Sequence, residues 1–579
     1  MRNTVSVGPL PQRRSAHLSR KLSHMNHVLP LTALMATIGC LSVVAQQGTS
    51  QSVTSPPVTS QMLLDGLKDP TKWLMFGGDY TSRRNSPLTQ LTAQNVNQLT
   101  PQWLFQTPAP APGRGLESTP VVLDGVMYIT GNYNHAWALD ARTGRTIWHY
   151  QRTLPELLRV CCGMVNRGAA ILGDKLYMGT LDAHLVALDR KTGKVLWDAT
   201  VEEPKNGYSI TLAPLVVKNK VIVGVSGGDY ASRGFIDAYD AETGTRAWRF
   251  YTVPGAGERG SETWPGVEPM LRGGGAVWAT GAYDPALNLV YYGTGNPNPD
   301  YYGDDRKGDN LYTCSLLALD ADTGVLKWHY QFTPHDIHDW DSTQVPVLGD
   351  VTFAGQPHKV VMLANRNGFF YVLDRESGKL LLGKPFTGTN WAREIGPGGR
   401  PVVLEDVGTR EKCLPDQRGG TNFMPPSFDP VRRLFFVTAR ETCVTWVSTK
   451  PTAITLGDRV PSGGPKHFED GPQQYSALRA IDPATGEMRW EHRFRGYPSE
   501  TVLDLSGGAM STATGLVFSG DNEGYLNAFD SASGKELWRF QTGAPIWGVA
   551  PITYMLDGVQ WVAIPSGVTL TTFALPRRR

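Results

Sequence analysis

Apolar residues recur along this chain at every second position, in runs of four to eight broken by Gly, Asp, Asn and Pro. That period predicts half-buried strands joined by tight turns. The pattern also repeats as one phrase: ALDARTGRTIW, ALDRKTGKVLW, AYDAETGTRAW, ALDADTGVLKW, VLDRESGKLLL, AIDPATGEMRW and AFDSASGKELW. The anchoring residues are Asp140, Asp189, Asp240, Asp320, Asp374, Asp482 and Asp530. A Gly follows each Asp by four residues. A Trp follows by eight in six copies, and Leu382 takes that place after Asp374. Each phrase reads as strand, turn, strand, with Gly supplying a positive φ and Trp packing between neighbouring repeats.

Most anchors lie near fifty residues apart, enough for a four-stranded blade. The 80 residues from Asp240 to Asp320 predict a blade with a long inserted loop. The 108 from Asp374 to Asp482 predict an additional blade without the phrase. The expected fold class is therefore all-β: an eight-bladed β-propeller with tryptophan-docking repeats. QLTPQWLFQT, with Trp103, reads as a lone outer strand whose inner partner is the C-terminal VTLTTFALP. Together they would close the ring and remove its open edge.

The first 24 residues hold five Arg or Lys and no acid, and an 18-residue apolar run follows at 28–45. This reads as a signal peptide over 1–45 that is cut after Ala45 and exports the chain to the periplasm. Left uncleaved, it would be a membrane anchor. The Ser/Thr/Gln/Pro-rich stretch 46–70 reads as an unstructured linker, and 71–579 as the propeller. A net charge of +2 argues against a nucleic-acid partner.

Export permits disulfides. Cys413 and Cys443 flank an expected hairpin that a bond between them would staple; Cys314 is left as a buried thiol. Cys161 and Cys162 are adjacent. They are either two reduced thiols or a strained eight-membered ring, because neighbouring Cα atoms, about 3.8 Å apart, lie closer than disulfides usually allow. There is no CxxCH, hence no covalent haem. PHDIHDWD packs Asp339 and Asp341 onto one side of an extended segment, where two carboxylates hold a hard cation or one acts as a base. Asn296 in GTGNPNPDY adds an amide ligand. Ser226, Gly227, Gly228 and Asp229 in VSGGDYASRGF permit close approach to a flat or anionic ligand. Trp278 in GGGAVWATG offers an indole on which a planar ring can rest.

Taken together, the tryptophan phrases and CCGMVNRG resemble the quinoprotein alcohol dehydrogenases over residues 73–575. The resemblance implies a periplasmic eight-bladed enzyme that carries pyrroloquinoline quinone (PQQ) and a metal ion. It implies that a Cys161–Cys162 disulfide and Trp278 cover the two faces of the quinone. It further implies that Glu117, Arg167, Thr211, Ser226 and Asn422 contact the cofactor, and that Arg366 lies near its carbonyl oxygens. Asp229, Asn296 and Asp339 would bind the metal, with Asp339 also the base, and Cys413–Cys443 would be the second disulfide. Asp341 would join the metal ligands and favour a lanthanide(III) ion over Ca²⁺. The departures are Asp229 for the usual Glu, Ala276 for a Thr, Ser506 for a Trp, and the lack of a Gly-Trp pair near the C-terminus.

The expected reaction is oxidation of a primary alcohol to an aldehyde. Asp339 takes the hydroxyl proton as hydride moves to the quinone, and electrons then pass to a separate soluble or membrane cytochrome c. A homodimer is among the expected assemblies. Two alternatives are a quinoprotein acting on polyols or sugars, and a non-catalytic envelope scaffold. The scaffold would account for the tryptophans but not for CC, PHDIHDWD and GTGNP together.

Overall fold

Each of the seven phrases forms the outer hairpin of an antiparallel sheet. The computed structural model describes residues 55–108, 115–353, 355–389, 391–404, 415–467, 474–495 and 506–576. The first blade runs Val121–Leu123, Val126–Gly131, His135–Asp140 and Thr146–Gln151 from innermost to outermost strand. Six more follow over 170–200, 215–251, 282–331, 347–385, 427–493 and 509–541. The eighth sheet joins Ile552–Leu556, Val559–Ser566 and Thr569–Ala574 to the N-terminal strand Thr100–Gln106, so the two ends of the chain close the ring as expected. The 80-residue interval also holds one blade, with insertions at 252–281 and 294–314.

The repeat phrase is the joint between blades. Asp140 Oδ1 accepts from the backbone N–H groups of Arg142 and Thr143 at 2.8 and 3.1 Å, which holds the turn; Asp189 and Asp240 do the same in theirs. Six tryptophans, five of them from the phrases, donate the indole N–H to a backbone carbonyl in the turn of the next blade. The pairs are Trp103 to Ala141, Trp148 to Arg190, Trp197 to Ala241, Trp248 to Ala321, Trp328 to Arg375 and Trp490 to Ser531. The indole face lies on the glycine of that turn. At Gly324, with φ +72°, a Cβ would sit 2.6 Å from Trp248. Leu382 does the same work less completely, lying 3.1 Å from a Cβ at Gly486, where Lys384 is also close. Gly324→Ala should therefore lower unfolding stability by about 1–3 kcal/mol through overpacking and a strained φ. Denaturant titration against Gly558→Ala, whose Cβ would meet nothing, checks this.

Two expectations are corrected. Among the described residues the interval 374–482 contains no additional blade. Two hairpins occupy it, Ala392–Ile395 with Pro401–Val403 and Val444–Ser448 with Gly463–His467, and the sixth blade carries the phrase at Asp482 itself. The count of eight is completed by the closing sheet. The 46–70 linker is folded from residue 55 onward. Val58 pairs with Gly173, the helix Ser60–Asp65 is capped by Thr59, and Leu63 is buried. Ser/Thr/Pro composition hid this short apolar clip, which Arg190 fixes through the carbonyls of Ser55 and Pro56. Residues 1–54, with the expected signal segment, lie outside the described residues. Within the described residues no helix is long and apolar enough to cross a membrane.

The segment 73–86 crosses one end of the hub. Its backbone bonds to Val122, Tyr283, Leu348, Phe428 and Ser511, each on or beside an innermost strand, and the Tyr80 hydroxyl donates to Val216. Buried Arg84 donates to Phe76, Ala550 and Pro551 carbonyls. Successive strands alternate in direction, so the loops entering each innermost strand and the loops between second and third strands share the other end. The site lies there.

Candidate active site

Every blade contributes a residue just ahead of its innermost strand: Glu117, Arg167, Thr211, Trp278, Asp341, Asn422, Ser506 and Trp547. Loops between second and third strands add Ser226–Asp229, Asn296–Tyr301 and Arg366. The structure thus gathers nearly all of the expected site residues on one face.

Arg167 is a node of one half. Its Nη2 pairs with buried Glu117 at 2.8 Å, and its Nη1 donates to Thr211 Oγ1 at 2.8 Å. The Thr211 and Ser226 hydroxyls are bonded at 2.8 Å. The guanidinium lies 4.9 Å from the Trp278 ring centroid and 4.5 Å from that of Phe423. The Cys161–Cys162 disulfide is formed, in the loop leading to Arg167; Cys161 is half-buried and Cys162, with φ 71°, is exposed. Gly227 is packed against protein, since a Cβ there would lie 2.2 Å from the Gly207 carbonyl oxygen. A Cβ at Gly228 would lie 3.5 Å from Ala276 and 3.7 Å from Asn296 Oδ1.

Arg366 is the node of the other half. Its Nη1 bonds the Asp339 carbonyl at 2.8 Å and approaches Asp339 Oδ1 at 3.4 Å. Its Nη2 pairs with Asp341 at 2.9 Å and reaches Asn422 Oδ1 at 3.3 Å. Asp341 also accepts from the Trp278 indole N–H at 3.0 Å and the Asn296 backbone N–H at 2.8 Å. The two aspartates converge, though not by extended alternation. Asp339 sits at φ 59°, which turns its carbonyl onto Arg366. Burial drives the Asp339 carboxyl well above the ordinary range; Arg366 opposes the shift, and Asp341, Asp300 and Asp229 reinforce it. Burial, then Asp341, raises Asp229.

Sequence reasoning missed three residues. Tyr301 donates its hydroxyl to Asp339 Oδ2 at 3.2 Å and stacks on Trp446. Asp300 is buried beside Asn296. Trp547 clusters with Phe423 and Met424 against Trp278, while Ser506 is fully buried on Ser476. The signal for Trp547 was its place five residues ahead of a first strand. The hairpin Val444–His467 lies across this face. Val460 N–H bonds the Asp229 carbonyl, Ser462 Oγ accepts from Tyr301 N–H, and Arg159 reaches Gly457 and Asp458. Replacing Tyr301 with Phe should raise the Asp339 carboxyl further, because a donor to the ionised form is lost. A shift of the acidic limb of the pH–rate profile to higher pH would show it.

Cys443 is disulfide-bonded; its expected partner, Cys413, lies outside the described residues. Cys314 is a buried free thiol, as expected.

A ring of propeller loops with two arginines over one indole and a neighbouring acidic cluster suits a flat anionic ligand, and comparison with known proteins gives the class. The family model for the glucose/ethanol/alcohol dehydrogenase β-propeller domain matches residues 73–384 and 407–562. Quinoprotein alcohol dehydrogenase PedH of Pseudomonas putida is 37% identical, over 93% of this chain and 92% of its own length. Quinohemoprotein alcohol dehydrogenase ADH IIB of the same species is 40% identical, over 86% of this chain and 73% of its own. The solved structure of a europium-containing methanol dehydrogenase superposes with a TM-score of 0.82 at 33% identity, covering 89% of this chain and all of that one. The chain belongs to the PQQ-dependent quinoprotein alcohol dehydrogenase family and is an oxidoreductase, which removes the scaffold alternative.

Proposed function

We propose that the chain oxidises primary alcohols to aldehydes in the periplasm, with PQQ and one lanthanide(III) ion bound at the hub. The residues fit both groups chemically. Arg167 and Arg366, both within 5.5 Å of the Trp278 centroid, suit a flat polycarboxylate. Aspartates whose pKa values are lifted by burial and then by neighbouring carboxylates are of the oxygen-donor type that suits a hard cation. The donor atoms are not gathered around one point, however. Among the described residues no three His, Cys, Asp or Glu side chains form a metal-sized cluster, and the Asp341 oxygens are spent on Trp278, Asn296 and Arg366.

In this reading the Cys161–Cys162 disulfide and Trp278 would hold the cofactor between them, with Glu117, Arg167, Thr211, Ser226, Gly228 and Asn422 binding its edges, while Gly227 packs against Gly207. Asp229, Asn296, Asp339 and Asp341 hold the cation. When bound, the quinone would supply a hydride acceptor and the cation would supply Lewis acidity. Asp339 removes the alcohol hydroxyl proton, held in place by Arg366 and Tyr301. Arg366 also offers its guanidinium to oxygen charge that develops beside it. A separate cytochrome c, soluble or membrane-bound, takes the electrons, since this chain has no CxxCH. The observation that carries the reading is Arg366 joining Asp339, Asp341 and Asn422 beneath Trp278. It is tested by reconstitution with PQQ plus La³⁺ or Ca²⁺ and an alcohol panel with an artificial dye, polyols and sugars included. Asp341→Ala should lose the La³⁺-supported rate first, and an unchanged metal preference would refute the trivalent assignment.

A further inference from the structure

Asp339 sits between two residues whose rings meet. In an extended segment, side chains two positions apart share one face at a spacing of about 6.6 Å. Here the His338 and Trp340 rings stack with centroids 4.1 Å apart and an interplanar angle of 17°. The left-handed φ of 59° at Asp339 draws them together and sends its carboxylate the other way, to Arg366 and Tyr301. A non-glycine residue keeps such a backbone only where its surroundings hold it. Trp340 is one such hold. It is fully buried, its indole N–H donates to the Asp416 carbonyl at 3.0 Å, and its backbone N–H donates to Asp336 Oδ2 at 3.0 Å.

Trp446, on the hairpin Val444–His467, completes the arrangement. Its ring meets His338 edge to face at 4.9 Å and Trp340 at 6.1 Å. The Tyr301 ring stacks on it at 5.7 Å and 29°. One side chain therefore touches both the ring pair that fixes the Asp339 backbone and the tyrosine that holds the Asp339 carboxylate. These are ring contacts alone, because the buried indole N–H of Trp446 has no hydrogen-bond partner among the described residues. The hairpin that carries it is pinned at both strands. Cys443 is disulfide-bonded and Val444 fully buried at one, and Ser462 Oγ accepts from Tyr301 N–H at 3.0 Å beside the other. Trp446 is only half-buried and belongs to none of the eight blades, so the ring of blades does not depend on it.

We propose that Trp446 is a positioning residue for the alcohol oxidation: wedged among His338, Trp340 and Tyr301, it sets the direction in which the Asp339 carboxylate meets the substrate hydroxyl. The proposal rests on the reading of Asp339 as the base. A displacement of about 1 Å at a reacting group costs on the order of 10²-fold. In the full chain reconstituted with PQQ and La³⁺ or Ca²⁺, Trp446→Leu should lower kcat by about tenfold to a hundredfold. KM should stay within about twofold, and the bound quinone, read by its absorbance, should be unchanged. Trp446→Phe keeps a ring among the three partners and loses only an unpartnered N–H, so kcat should return to within about threefold of wild type. Added to Asp339→Asn, Trp446→Leu should cost less than about twofold more, because the group it positions has already gone. Trp446→Met fills the space without a ring and is read in the same way should thermal unfolding show that the Leu variant misfolds. Wild-type kcat in the folded variant, no rescue by Phe, full additivity with Asp339→Asn, or a loss that falls on KM or on quinone content overturns the role of Trp446. Wild-type kcat in Asp339→Asn overturns the base itself, which is a different result.

Discussion

Asp339→Asn should reduce alcohol-dependent dye reduction by about 10²–10⁴-fold, the range that a positioned general base supplies. The loss should fall on kcat. Asn keeps the side-chain shape, can still face Arg366, and leaves Tyr301 and Asp341 in place, but it cannot accept the hydroxyl proton. Asp339 is the one acidic side chain here that both Arg366 and Tyr301 hold, and its left-handed backbone fixes the direction in which it projects. Burial keeps its carboxyl above the ordinary range. The wild-type rate should fall at low pH, where this group is protonated, and the variant should lose that limb. Wild-type turnover in the folded, cofactor-loaded variant would end the assignment of Asp339 as base.

Cation loading should have the second large effect, on stability and its pH dependence. The Asp229, Asp300 and Asp339 carboxyls are all raised, first by burial and then by other charges around them. In the unfolded chain such groups titrate near about 3.9. Above that pH the cation-free native state keeps protons that the unfolded state has released. Its stability must then fall as pH rises toward the folded values. A bound cation replaces those protons, so its stabilising effect grows with pH over the same window. At a hundredfold excess over Kd it is worth about 2.7 kcal/mol. Carboxylates with lowered values, such as Asp309 beside Arg400, act in both states and cancel in the difference. Thermal unfolding at several pH values, with and without La³⁺, measures this. A cation-induced shift in Tm that is absent, or that shrinks as pH rises, would contradict it.

The mistaken additional blade shows how far spacing can be trusted. An interval of 108 residues fixes chain length and not what the chain does with it. Here it became two hairpins, one of which lies over Tyr301 and Asp229. The pairing of Asp339 with Asp341 shows the same limit from the other side. Alternation expected them on one side of an extended segment, but the structure joins them through Arg366 and a positive φ.

The sequence alone determined the ring, because its joint is local. An Asp that caps a turn, a Gly that leaves room and a Trp eight residues after the Asp need only one neighbouring copy to become a docking contact. Its motifs also pointed to Trp278 and Asp339, and its family resemblance to Arg167 and Arg366. Only the tertiary structure decided that Asp300 and Tyr301 stand beside them and that Trp547 reaches the hub. Burial, amide orientation and like-charge crowding arise between segments as distant as residues 117 and 547, and no local pattern encodes the distances between them.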